Sequence, residues 1–362
     1  MIHPSVRMIS ARFSSVAALV CLSLFAFVAS AQQQVPAAPA PAPSMQAAPA
    51  KAPSAQAPSL QAAPAKAPSA QAPSAPAPAA APVFPKPDPA NFTASSPTKE
   101  TVNAFIQANL GFDDNNIWVV EAILKTPVEG VSRVFVLLGD KAGKQKPYPF
   151  IFYSLPDGKH IIARDDLMPF GEHPFAENRA IVQAHAEGPY RGSASKDLEI
   201  VEFADFQCPH CKEAQPNMEK LAVDFPKARI VFQNYPLPQH SQAAGAANYG
   251  ACVTKLGGND AFFTFASAVY EGQDGLATAD GATLTLNSAV TKAGLDPAKI
   301  AACASTPETK AVVDASVKLA QDLKITQTPT LIVNGRPAPA TAPYDTLKQI
   351  VMYQAKSDGV AQ

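Results

Sequence analysis

The apolar rhythm of the chain changes several times from end to end. Arg7 and Arg12 precede an apolar run from Val16 to Ala29 that closes on Ala29-Ser30-Ala31, small residues of the kind a signal peptidase accepts. Fourteen residues at about 1.5 Å each cover about 21 Å, short of a bilayer core of about 30 Å. Residues 1–31 therefore read as a cleaved export signal. Leu19 and Val20 do not suit lipoprotein processing at Cys21, which leaves with the signal. From 32 to 90 periodicity disappears: 16 of the 36 prolines lie between Pro36 and Pro89 among Ala, Gln and Ser, and too little side chain remains to build a core. Met45 to Ser59 (MQAAPAKAPSAQAPS) repeats from Leu60 to Ser74 with one change. Such a segment predicts a disordered, polyproline-like linker, reaching at most about 180 Å at about 3.1 Å per residue.

Helical periodicity returns after Ser96-Pro97, a predicted cap and first-turn proline, with Val102, Phe105, Ile106 and Leu110 on one face. Trp118 to Leu124, Val131 to Leu138, Pro149 to Tyr153 and, past the Pro156-Asp157-Gly158 turn, Lys159 to Ala163 read as strands. These predict a small α+β domain over 91–187, with a hinge at 188–197. A second unit occupies 198–362. Leu198 to Phe203 has a buried-strand pattern, a helix carrying Met218, Leu221 and Val223 runs from Lys212 to Pro226, and Arg229 to Tyr235 is again a strand. A helical insertion covers about 240–323. Thr330 to Val333 is a strand turned by Asn334-Gly335, and a helix from Tyr344 to Ala355 closes the order of an α/β layer fold.

Charge narrows the partners. With 29 basic and 30 acidic residues the net charge is -1, which argues against nucleic acid held by phosphate neutralisation and against a basic membrane-surface protein. Four cysteines remain after the signal, Cys208, Cys211, Cys252 and Cys303, an even number that suits an oxidising, extracytoplasmic compartment such as the periplasm.

Cys208-Pro209-His210-Cys211 lies where strand gives way to helix, which puts Cys208 beside unpaired N–H groups and the positive end of the helix dipole. With His210 adding charge or a hydrogen bond and Pro209 stiffening the first turn, the Cys208 thiol should be acidic. An acidic thiol leaves readily, so the disulfide should be oxidising; Cys211, one turn inward, resolves the mixed disulfide. A zinc site would need two further ligands, and neither Cys252 nor Cys303 belongs to a second close pair, so no metal and no cofactor are expected. An inert Cys208–Cys211 staple would close almost no loop.

Glu202-Phe203-Ala204-Asp205-Phe206-Gln207-Cys208-Pro209-His210-Cys211, with Thr328-Pro329-Thr330-Leu331-Ile332-Val333-Asn334-Gly335, resembles the DsbA-like branch of the thioredoxin superfamily over about Leu198 to Gln354. The resemblance implies a thioredoxin fold with an inserted helical subdomain. It implies a cis peptide before Pro329, with Thr328 facing the disulfide and its backbone holding client peptide. It also implies a buried acid at Glu202 able to move the Cys211 proton, a solvated edge-strand glutamate being the alternative. Pro216 matches the helix-kinking proline of thioredoxins, and Gln327 departs from the family's usual Gly. Cys252 and Cys303 fall where some members carry a second pair and are taken as a structural disulfide, two separate buried thiols being the alternative. His240 reads as a capping or surface histidine rather than a groove residue.

Less specifically, Lys125 to Val131 and Pro156 to Ile162 resemble the cystatin-like dimerisation domain of DsbC and DsbG isomerases, which implies a homodimer. The helix from Ser96 and the Asp165 to Phe170 stretch serve pairing or local packing. The expectation is an exported thiol-disulfide oxidoreductase, foremost an oxidase. Its partners would be unfolded or reduced exported proteins and a membrane or soluble redox protein that recycles the pair. Isomerase activity, or a tethered holdase with incidental redox chemistry, are the alternatives.

Overall fold

The computed structural model describes residues 84–143 and 146–360; the export signal, the duplicated unit and nearly all of the proline-rich linker lie outside the described residues. Helix α1 (Lys99–Leu110) precedes five antiparallel strands paired in chain order: β1 (Asn116–Lys125), β2 (Ser132–Asp140), β3 (Tyr148–Ser154), β4 (His160–Ala163) and β5 (Asp166–Pro169). Strand β2 shows why the sheet forms. Val134, Val136 and Leu138 are buried while Arg133, Phe135 and Leu137 face the other way, the two-residue alternation of a half-covered sheet. On the inner face α1 lays Val102, Phe105 and Ile106, and the rings of Phe105, Phe152 and Phe170 pack with centroids 5.0 to 5.9 Å apart. One expectation is corrected. Thr98 caps α1, its hydroxyl accepting the Thr101 N–H, so Ser96-Pro97 lies outside the helix. The Asp165 to Phe170 stretch packs locally as β5, whose Asp166 to Pro169 pair with Ala163 to His160.

A second five-stranded sheet follows, in the order β10-β9-β7-β8-β6. Its elements are α2 (Ala176–His185), β6 (Tyr190–Gly192), β7 (Glu199–Ala204), α3 (Pro209–Asp224) and β8 (Arg229–Asn234). Next come α4 (Ala243–Glu271), kinked at Gly258, then α5 (Ala279–Lys292), α6 (Pro297–Ala304) and α7 (Pro307–Asp322). Strands β9 (Thr330–Val333) and β10 (Arg336–Pro339) and helix α8 (Tyr344–Ser357) complete the fold. β7 and β8 run parallel and are buried at every position, as strands covered on both faces must be. Ala214, Met218 and Leu221 of α3 with Leu347, Ile350 and Val351 of α8 cover one face. Val182 of α2 with Leu319 and Ala320 of α7 cover the other.

The expected hinge at 188–197 is corrected, because Tyr190 to Gly192 pair with Val231 to Arg229 and occupy the outer edge of β8. The second layer also starts before residue 187: α2, which has no pronounced sequence pattern, packs Val182 and Ala186 on it. Val223, counted in the apolar pattern of its helix, is 77% exposed on the solvent face of α3. A disulfide joins Cys252 of α4 to Cys303 of α6, a separation of 51 residues, worth about 4 kcal/mol by loop entropy.

Buried Arg336 of β10 ties the two layers together. Its guanidinium donates to the Asn109 carbonyl (3.1 Å) and to that of Ala108, at the end of α1 where helix carbonyls lack partners, and it stacks over Phe175. Further along β10, Pro337 and Pro339 lie opposite Ile332 and Thr330 on the outermost strand of the sheet.

Candidate active site

Strand β7 ends at Ala204, and Asp205-Phe206-Gln207 carry the chain to α3, whose N-cap is Cys208 and first residue Pro209. Cys208 and Cys211 are free thiols, 4% and 0% exposed. The Cys208 thiol points at the Thr328 carbonyl, 3.5 Å away, and the Cys211 sulfur accepts the Asp205 N–H at 3.4 Å. The Thr328–Pro329 peptide is cis and lies across the dithiol, bordering a 410 Å³ groove walled by Gln327 to Thr330, His210 and Pro337 to Pro339.

The two sulfurs are unlike. Cys208 is drawn down from 9.0 to about 5, first by the Cys211 thiol bonded to its anion, then, against the cost of burial, by Thr328 and the N–H groups of Cys211 and His210. Cys211 is pushed far up, by burial above all and by its donation to Cys208. Glu202 sits on the central strand, 3% exposed, with only the Gln215 amide bonded to it at 3.1 Å. Burial raises it to about 7, with Arg191 acting in the opposite sense.

The His210 imidazole makes no hydrogen bond to the sulfur, one of the two roles the sequence suggested. Its Nδ1 bonds Glu213 at 2.8 Å on the surface, because the first turn of α3 aims it outward, and His210 acts on Cys208 through its backbone N–H and through the charge of its ring. Pro216 lies inside α3.

Sequence reasoning left three supporting side chains unassigned. Buried Asp205 accepts the N–H of Gln207 (2.7 Å) and Leu237 (2.8 Å) and pairs with His240 Nδ1 at 2.7 Å. His240 therefore braces the active-site loop and does not cap a helix. Gln273, buried beyond the end of α4, donates to the carbonyls of Phe206 and Cys208 at 2.8 and 2.9 Å. The Asp205 turn was legible as Asp followed two residues later by a free N–H; Gln273, 65 residues from Cys208, had no local mark.

The family model described as thioredoxin matches residues 185–352. Residues 185–352 form a thioredoxin-like domain. Over 172 residues the chain is 26% identical to probable disulfide bond formation protein D of Bacillus cereus, covering 46% of this chain and 77% of that protein. Over 91 residues it is 34% identical to Na(+)/H(+) antiporter NhaA 3 of Salinispora tropica, covering 25% of this chain and only 14% of the antiporter. The solved structure of Pseudomonas aeruginosa DsbA2 aligns at 26% identity and a TM-score of 0.40, covering 46% of this chain and 94% of that one. The thioredoxin-like domain thus contains the dithiol, the cis proline and the helical insertion, while the front sheet lies ahead of every residue of the family match.

Proposed function

We propose that this protein is an exported thiol-disulfide oxidoreductase that exchanges disulfides with cysteine-containing protein clients, foremost as an oxidase. One observation carries the reading: an acidic Cys208 at a helix N-terminus, under the Thr328–Pro329 turn, backed by a buried Cys211 that keeps its proton. When a client thiolate attacks Cys208 in the disulfide, Cys211 leaves, and the client's second thiolate then attacks the client sulfur of the adduct and releases the Cys208 thiolate. When the Cys208 thiolate attacks a client disulfide, Cys211 resolves the adduct. Because Cys208 is a good leaving group, equilibrium favours passing the disulfide outward. Glu202 exchanges a proton with Cys211, and Thr328 and Pro329 hold the client backbone along the groove that His210 borders. The bacillary relative's name and the apolar N-terminal run support disulfide formation outside the cytoplasm, with a redox partner that recycles the dithiol.

The test is Cys211→Ala, expressed with its N-terminal segment in an exporting cell. It should accumulate clients as mixed disulfides on Cys208, released by reductant. Absence of adducts on folded protein would overturn the proposal.

One feature favours a second reading, in which a second copy or an unfolded client covers the front sheet. Tyr153, Ile162 and Leu167 are 40 to 48% exposed and stand side by side across β3, β4 and β5. A dimer on gel filtration together with reactivation of scrambled ribonuclease would make the protein an isomerase; a monomer without reactivation leaves the oxidase.

A further inference from the structure

We propose that Tyr270 is a catalytic residue of this exchange, its hydroxyl donating a hydrogen bond to the Cys211 sulfur when that sulfur becomes a thiolate. The inference rests on the oxidoreductase reading and adds a group to its site.

Tyr270 lies in the last turn of α4, 3% exposed, in the same core cluster as Cys208 and Cys211. Its ring packs against Phe206 with centroids 5.5 Å apart, and three residues later Gln273 grips the Phe206 and Cys208 carbonyls. The end of α4 is therefore built against the active-site loop. The Tyr270 hydroxyl is one of eight buried side-chain polar atoms among the described residues without a hydrogen-bond partner, and with Thr328 Oγ1 it is one of the two hydroxyls among them, both near the dithiol. Buried polar groups are nearly always paired, and one left open calls for a reason. Packing does not supply it: Phe206, Phe262 and Phe265 fill the same cluster without an oxygen.

The neighbours supply it. Burial, then the nearby Cys211, Glu202, Asp205 and Cys208, hold this phenol far above its ordinary range. It stays protonated and can serve only as a donor to negative charge. In the reduced protein Cys211 holds its proton and asks for nothing. When a client thiolate attacks Cys208 of the disulfide, the client–Cys208 bond forms and the Cys208–Cys211 bond breaks. The electron pair passes to the Cys211 sulfur, so the client sulfur is oxidised and Cys211 reduced. The Asp205 N–H already faces that sulfur, at 3.4 Å in the reduced form. The Tyr270 O–H completes a second donor, directly or through one water, until a proton from Glu202 or solvent neutralises the thiolate.

The test uses the full chain in its oxidised form and reduced glutathione as the attacking thiol, with acid quenching and mass spectrometry to time the mixed disulfide. Tyr270→Phe removes one oxygen and keeps the ring. It should slow adduct formation about tenfold, while the thermal midpoint of the same sample stays equal or rises because an unpaired hydroxyl has gone. A tyrosine that only fills space predicts the wild-type rate; a rate within about twofold of wild type would overturn the proposal, as would a slowdown accompanied by loss of folding. If the wild-type protein itself forms no adduct, the oxidoreductase reading fails and takes this role with it; reaction of both proteins at one rate removes Tyr270 alone.

Discussion

Two five-stranded sheets occur in this chain, and they differ in what they bury. Of fifteen buried polar or charged side chains among the described residues, the front sheet holds only Ser132 and Ser154. The other thirteen lie between Glu199 and Gln354, in the second sheet, its helices and the helical insertion, including Glu199 paired with Arg229 at 2.8 Å, Glu202 and Asp205. The front sheet is a fit of aliphatic side chains and phenylalanines, stabilised by removing apolar surface from water. The second sheet carries buried charge, which destabilises unless each group finds a partner, and retains it where sulfur chemistry needs shifted acidities. Among the described residues the two free thiols thus lie in the layer whose interior departs from simple apolar packing.

The largest effect is expected from Cys208→Ser. Disulfide exchange with a reduced peptide should fall to background while the unfolding of the front sheet stays unchanged; residual exchange would place the chemistry elsewhere.

Second in size is pH. Iodoacetamide should alkylate Cys208 with a midpoint near pH 5 rather than 9. The sign for stability follows from linkage. Because the folded value lies below the ordinary one, the thiolate stabilises the reduced protein fully above about pH 9, less as pH falls, and not at all below about pH 5. The urea midpoint of the reduced form, relative to the oxidised, should therefore climb between pH 5 and pH 8. A constant gap would contradict the acidic thiol.

Third, Arg229→Met leaves the Glu199 carboxylate buried without its cation and should cost about 3 to 5 kcal/mol in urea unfolding. Adding Glu199→Gln should recover part of that. In the front sheet Phe152→Leu should cost about 1 to 2 kcal/mol, with no charge effect to relieve. Smallest is Lys310→Ala, which breaks an exposed pair with Asp314 one turn along α7 and should leave the unfolding midpoint unmoved.

Much of the second layer was legible because its strands are continuous apolar runs and its chemistry is written contiguously, from Glu202 to Cys211. The meander of β1 to β4 was legible from runs of β-branched and aromatic residues and the Pro156-Asp157-Gly158 turn. Short or edge elements were not. β6 has three residues and reads as a glycine-flanked linker until β8 offers it hydrogen bonds, and β5 contains a terminal proline that strand patterns disfavour. Gln273 was invisible and His240 was read as a capping or surface residue, because each reaches the active-site loop from the helical insertion. Pairing at such separation is decided by packing, and no local pattern encodes it. His210 was legible in part: of the charge or hydrogen bond that adjacency to Cys208 suggested, only the charge acts, because the side chain turns to Glu213.

The prolines of β10 bear on what this molecule can avoid. At 337 and 339 the ring nitrogens carry no hydrogen, and both residues sit where the backbone would otherwise offer its donors to the outside of the sheet. A stray extended polypeptide finds carbonyl oxygens along that flank but no proline N–H to zip against. The flank of β10 is thus a poor template for recruiting the sheet into a growing fibre.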